Sequence, residues 1–231
     1  GYLDLSRRTR LVDQAEMALR RMQRDVRQAL PNSVRIAGAG QYLELLHTVD
    51  GGRYRAQDDP ALPGDDILDF SVADNGFDVL GDLRAVPSVG QALVVYNISA
   101  SGSSGNAYLS AADNVATVAA GSTVSHMVLS PAVSFANSSP FQRFFLVDGP
   151  VTFACENGVL NRYSGYAKTT TQATPPTGGT VALVTRGVGS CRFSYDPGAS
   201  QRAGLITLEL ALTEAEETIT LLHQVHVMNA P

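Results

Sequence analysis

The chain has no tryptophan, a single lysine (Lys168) and two cysteines, and charged residues fill only 17% of its 231 positions. Each scarcity excludes something. Cys155 and Cys191 have no histidine near them and form no CxxC pair, so a zinc centre built on thiolates has no ligand set. No apolar run approaches the roughly 18 residues of a membrane-crossing helix, and no signal peptide is visible. Glycine-rich phosphate cradles are missing, and Gly102-Ser103-Ser104-Gly105 is not the GxSxG turn that presents a nucleophile. Of four histidines, His223 and His226 stand three apart, which on a strand puts them on opposite faces rather than around one metal. These gaps leave no catalytic constellation, so the expectation is a protein that is not an enzyme and needs no cofactor.

What is present points to a folded, turn-rich chain. Apolar residues make up 44%, with 21 Gly and 11 Pro, a composition that leans toward β structure. The length suits one large or two small domains. Two thiols in a Ser/Thr/Gly-rich chain read either as one disulfide or as two buried free cysteines. A Cys155–Cys191 bond would stabilise the fold by roughly 4 kcal/mol on the chain-entropy account and implies an oxidising compartment.

Charge is unevenly spread. Residues 1–30 carry seven arginines against Asp4, Asp13, Glu16 and Asp25, a net of +3, while the other 201 residues carry ten basic and eighteen acidic groups, a net of −8. A basic arm on an acidic body suits nucleic acid or an anionic membrane, or else a second acidic protein surface. No basic strand interleaved with aromatics supports nucleic acid, so none is expected.

The front of the chain reads as an amphipathic helix. Leu11, Val12, Ala15, Ala18, Leu19, Met22, Val26, Ala29 and Leu30 recur at spacings of three and four and form one stripe at about 100° per residue. The arginines at 10, 20, 21, 24 and 27 fall on the opposite arc, and Pro31-Asn32 stops the pattern. Arg8 projects onto the apolar arc and Leu3 onto the arginine side. The packed stripe therefore begins at Leu11, and the first ten residues are either a frayed end or a segment made for another environment.

After Pro31 the period falls to two. Gln41–Val49 and Arg53–Arg55, joined by Asp50-Gly51-Gly52, read as a hairpin. Further strands are expected at Ile67–Val72, Ala92–Ile98, Thr123–Leu129, Arg143–Val147 and Val151–Cys155. A turn at Glu156-Asn157-Gly158 leads into Val159–Tyr166. Ser190–Tyr195, Gly204–Leu212 and Thr218–Met228 close the chain, the first two joined by Asp196–Ser200 and the last two by Thr213–Glu217. Strands at this spacing without helical patterns between them indicate antiparallel sheets. Ser99–Asn106 and Thr169–Gly179 are loops by composition. Asp74 and Asp78 around a glycine turn are weak calcium candidates, since the loop lacks EF-hand spacing and Asp-Asn-Gly is a common turn.

Several blocks carry a family resemblance. Met22–Arg35 is similar to the helix exit of minor pilins of the MshO type, from the mannose-sensitive haemagglutinin (MSHA) pilus of Gram-negative bacteria. So are Thr48–Arg55, Phe145–Val151 with Cys155 after it, Arg162–Tyr166, Phe193–Gly198 and Leu221–Val227. The resemblance to type IV pilins and pseudopilins implies an α+β fold, with an N-terminal amphipathic helix (1–32) packed on a single antiparallel β-rich head (33–231). It implies a low-abundance subunit for assembly or initiation of a pilus, working through contacts with other minor and major pilins. On this reading Leu11, Ala15, Ala18, Leu19, Met22, Val26 and Leu30 form the packing face of the assembly helix, and Arg20, Arg24 and Arg27 its charged face. Cys155 and Cys191 are the disulfide of a periplasmic protein. The implied location is periplasm and inner membrane before assembly, through a preceding membrane helix, and the cell-surface pilus afterwards. The alternatives are a minor pseudopilin of a type II secretion system and a filament-tip adhesin whose Tyr54, Tyr163 or Tyr166 stack on sugars.

Overall fold

The computed structural model describes residues 1–198 and 203–231, and part of the expected Asp196–Ser200 connection lies outside the described residues. The elements in chain order are helix α1 (Tyr2–Arg27) and strands β1 (Arg35–Ala37), β2 (Tyr42–Tyr54), β3 (Asp74–Leu80), β4 (Ala92–Val95), β5 (Val115–Thr117), β6 (His126–Val133), β7 (Arg143–Glu156), β8 (Val159–Ser164), β9 (Thr180–Arg186), β10 (Val188–Asp196), β11 (Ala203–Glu214) and β12 (Glu217–Met228). Strand takes 44% of the chain and helix 13%. The expected pilin-like α+β class is therefore corrected to mostly β. Helical periodicity occurs only in the front stripe and never resumes after Pro31, so one helix serves a body built of strands.

The chain divides into two compact units. The first comprises Gly1–Ala29, Val34–Leu46 and Gly149–Ala230, and the second Leu30–Ser33, His47–Asp148 and Pro231. In the first unit, β1, the start of β2, the end of β7, β8 and β9 lie side by side, and β10-β11-β12 form a separate three-stranded sheet. Leu43, Leu45, Val151, Phe153 and Leu160 from the one sheet share a core with Phe193, Ile206, Leu208, Leu210, Leu212 and Val225 from the other, and with α1. The Cys155–Cys191 disulfide ties β7 to β10 across that core, with the Cα atoms 6.3 Å apart. At Asn157-Gly158 both residues take positive φ, which is the backbone a two-residue hairpin between β7 and β8 needs.

In the second unit the strand order is β5-β4-β7-β2-β3-β6. The end strands meet, since Val118 just after β5 bridges Leu129 of β6, so the sheet curls round its own core. Phe77 and Phe144 pack edge to face there at 5.2 Å, with Tyr54, Leu93, Val95, Met127 and Leu146 around them.

Several strand expectations are revised, among them Arg143–Val147 and Val151–Cys155, which are one strand, β7. Residues 42–54 are one continuous strand, not a hairpin, because Gly51 and Gly52 serve close approach rather than a turn. A Cβ on Gly51 would lie 2.9 Å from the Phe144 carbonyl oxygen, and one on Gly52 would press on the Phe144 ring. Residues 67–72 form no strand, since Asp69 folds the chain locally by accepting from the amide and hydroxyl of Ser71. Asp74-Asn75-Gly76 is not a turn but the start of β3, with Gly76 paired to Val128 and the register shift between Asp74 and Gly76 taken up by extra residues on β6. A Gly51→Ala chain should unfold about 1–3 kcal/mol more easily in urea, and a chain that loses no stability would contradict the close approach to Phe144.

Candidate assembly surface on the N-terminal helix

The inner face of α1 is the expected stripe. Leu11, Ala15, Ala18, Leu19, Met22 and Val26 are all 3% exposed or less, and the helix packs on β11, β12 and β9. Leu30 is also buried but lies beyond the last helical residue, Arg27. Polar contacts along both flanks fix the helix on its sheet. Arg8 reaches Glu217 at 3.4 Å and Arg10 reaches Glu214 at 2.5 Å. Gln14 donates to the Thr185 hydroxyl at 2.6 Å. Gln23 and Glu16 both meet the ring of His223, at 2.6 and 3.4 Å. Asp25, nearly buried on the inner face, takes the Arg162 Nε at 2.6 Å. A carboxylate there needs that partner, because an unpaired buried charge costs several kcal/mol.

The outward face is different in kind. Among the described residues Arg20 makes one ion pair, with Glu16 one helical turn back at 3.5 Å. Arg21, Arg24 and Arg27 are exposed and have no ion pair among the described residues. Toward the helix start, Tyr2 is 86% exposed, Leu3 76%, Leu5 66% and, further along, Met17 73%. The first ten residues are helical rather than frayed, yet almost all face solvent. A helix normally keeps its polar face for water; this one shows water large apolar side chains and arginines without carboxylates.

The remaining predicted residues lie elsewhere. Asp74 and Asp78 are occupied by the protein itself. Asp74 accepts from the Asp69 and Gly76 amides, and Asp78 meets His126 at 3.0 Å and Arg55 at 3.4 Å. Burial alone would raise the Asp78 carboxyl, but the Asp66 amide, His126 and Arg55 hold it below its usual value. Among the described residues no group of three or more His, Cys, Asp or Glu is placed to hold a metal. Tyr54, Tyr163 and Tyr166 are 1%, 8% and 7% exposed, so none presents a ring face for a sugar. No helix among the described residues is long and apolar enough to cross a membrane.

The first unit also holds a buried polar network that sequence spacing could not reveal. Glu44, fully buried, binds Arg35 Nε at 2.5 Å and accepts from the Tyr166 hydroxyl at 2.9 Å. The other two Arg35 nitrogens donate at 2.7 Å to the Thr169 and Thr170 carbonyls, and Gln172 donates to Tyr42, so the glycine- and threonine-rich loop is held down. Beside it Tyr163 and Tyr42 both donate to Glu156. The cross-strand spacing of Arg35 and Glu44 on β1 and β2 is the one signal in the sequence that could have suggested part of this set.

No family model, no curated protein and no solved structure matches the chain.

Two outcomes follow from this geometry. Met22→Ala should cost about 2–5 kcal/mol in urea unfolding, and Met17→Ala no more than about 0.5 kcal/mol. Burial and the neighbouring Glu156 push the Tyr163 hydroxyl from 10.0 up to about 12. The folded state therefore keeps a proton that the unfolded chain releases. The stability this brings is whole below pH 10 and is lost as pH climbs to about 12. Tyr163→Phe should show a shallower alkaline loss of stability across that window, and an absorbance titration should lose one late tyrosinate.

Proposed function

We propose that the chain is a minor pilin-type subunit for assembly or initiation of an MSHA-type type IV pilus, a structural protein that works by contact with other pilins. The observation that carries the reading is the outward face of α1. The helix is locked onto its own sheet by a fully buried stripe, so its free face is rigid and preorganised. That face offers Arg21, Arg24 and Arg27, which have no ion pair among the described residues, and the exposed side chains of Tyr2, Leu3, Leu5 and Met17. Arginines beside apolar side chains are what protein contact surfaces are rich in. The sequence blocks similar to MshO-type minor pilins and the Cys155–Cys191 disulfide agree with a periplasmic subunit that ends on the cell surface. The adhesin alternative gains nothing, because the tyrosines it needs are buried.

Physically, the helix supplies both the approach and the grip. Its arginines steer an acidic neighbour and fix register, and the apolar side chains contribute the burial that holds the complex. The test uses the chain with Arg20, Arg24 and Arg27 reversed to Glu, in pull-downs with the other minor pilins and in a deletion strain. Partner binding at low salt should weaken by at least about tenfold, and the strain should stay without pili. Unchanged binding and normal piliation would count against the proposal.

A further inference from the structure

The charge asymmetry follows the two units more closely than it follows the helix. The second unit contains eleven aspartates, no glutamate and four arginines, a net of −7, and the first unit accounts for the remaining +2 of the total of −5. The second unit holds a cleft of about 380 Å³. Two carboxylates, Asp50 and Asp148, line it together with Arg84 and the aliphatic Val49, Val86 and Leu146. Asp50 is fixed in place, since its oxygens accept from the Gly51 and Arg84 amides at 2.8 Å each. Asp148 is half exposed and stands 2.9 Å from His47. The Arg84 side chain is exposed and makes no ion pair among the described residues. Val86 and Val49 are 64% and 40% exposed, and the neighbouring Val89 70%. Asp82 adds a further exposed acid two residues before Arg84.

This set is the complement of the outward face of α1. Along one line of that face the helix carries Asp13, then Met17, then Arg20 and Arg24. It offers one unpaired acid, one exposed apolar side chain and two exposed arginines. The cleft offers one unpaired guanidinium, an aliphatic wall and two carboxylates. Asp13 answers Arg84, Met17 answers Val49 and Val86, and the arginines answer Asp50 and Asp148. The match covers three kinds of group, where net charge alone would supply only attraction.

We propose that the outward face of α1 docks into this cleft on the second unit of another copy of the same chain. The contact is heterologous, because the two surfaces differ, so it leaves one helix face and one cleft free for further copies. The inference rests on the assembly reading of α1 and names the surface that receives it.

The experiment uses two single variants, each altered at an exposed position, Arg24→Glu and Asp148→Arg. Sedimentation velocity on the unaltered chain at low salt should show association that weakens as salt rises. Each variant alone should associate at least about tenfold more weakly. Mixed in equal amounts, the two should recover association. The intact helix of the Asp148→Arg chain enters the intact cleft of the Arg24→Glu chain, and at the other contact the two reversed charges face each other as an exchanged pair of opposite sign. Circular dichroism of each variant guards against misfolding. A monomeric unaltered chain at low salt would overturn the proposal, and so would variants that associate normally or a mixture that stays monomeric. Failure here with pilin pull-downs intact removes the cleft as partner and leaves the pilus reading standing; failure of the pull-downs with self-association intact does the reverse.

Discussion

The first unit depends on the burial of one helical stripe. Leu11, Ala15, Ala18, Leu19, Met22 and Val26 seal the core shared by the β10-β11-β12 sheet and the strands from β2, β7 and β8. Remove that stripe and Ile206, Leu208, Leu210 and Ile219 lose their cover on the helix side. The disulfide holds β7 to β10 on the same core, so the helix and the covalent bond act on one body. A long helix bound this tightly has little freedom left on its outer face, and the groups there are presented at fixed positions. Binding through them therefore costs less ordering entropy than binding through a flexible tail.

Polar side chains do the positioning where apolar burial does not reach. Arg35 and Glu44 form an ion pair with almost no water access, and it survives because every remaining polar group around it has a partner: Tyr166, Thr152 and the Thr169 and Thr170 carbonyls. The network pins a loop whose composition alone suggests freedom. In the second unit, Arg55, His126, Asp65, Asp66 and Asp78 form a looser, partly exposed set of ion pairs. Burial and the charges of its neighbours raise the Asp66 carboxyl above its usual value, with His126 opposing them. Asp50 and Asp148 at the cleft are also held, by two backbone amides and by His47, while Asp148 stays half exposed.

The parts of the fold that could be read from the sequence are those with a period. The helical stripe from Leu11 and the alternation in β10, β11 and β12 belong to that class. So does the arginine arc, because helix geometry maps sequence spacing directly onto a surface. Gly51 and Gly52 misled in the opposite sense. In a sequence they look like a turn, and only the nearness of Phe144 shows that they exist to let a strand pass. Asp25 with Arg162, and Glu44 with Tyr166, are partners far apart in the chain, and nothing local in either residue announces the other. The division of charge was visible only in part. Residues 1–30 stand out as basic, but the gathering of eleven aspartates in the second unit shows only once the chain is divided into its two units.

The central claim is that the outward face of α1 is covered when the protein assembles, while its inner face is covered always. Methionine oxidation reads both at once, because Met17 is 73% exposed on the outward face and Met22 is fully buried on the inner one, with Met228, 59% exposed on β12, as a reporter away from the helix. Peroxide footprinting should be compared between the dilute chain and the chain mixed with other pilus subunits. The account predicts that Met17 becomes protected on assembly, that Met22 is protected throughout, and that Met228 is unchanged. Met17 oxidising at the same rate in both states, with assembly shown independently, would contradict it.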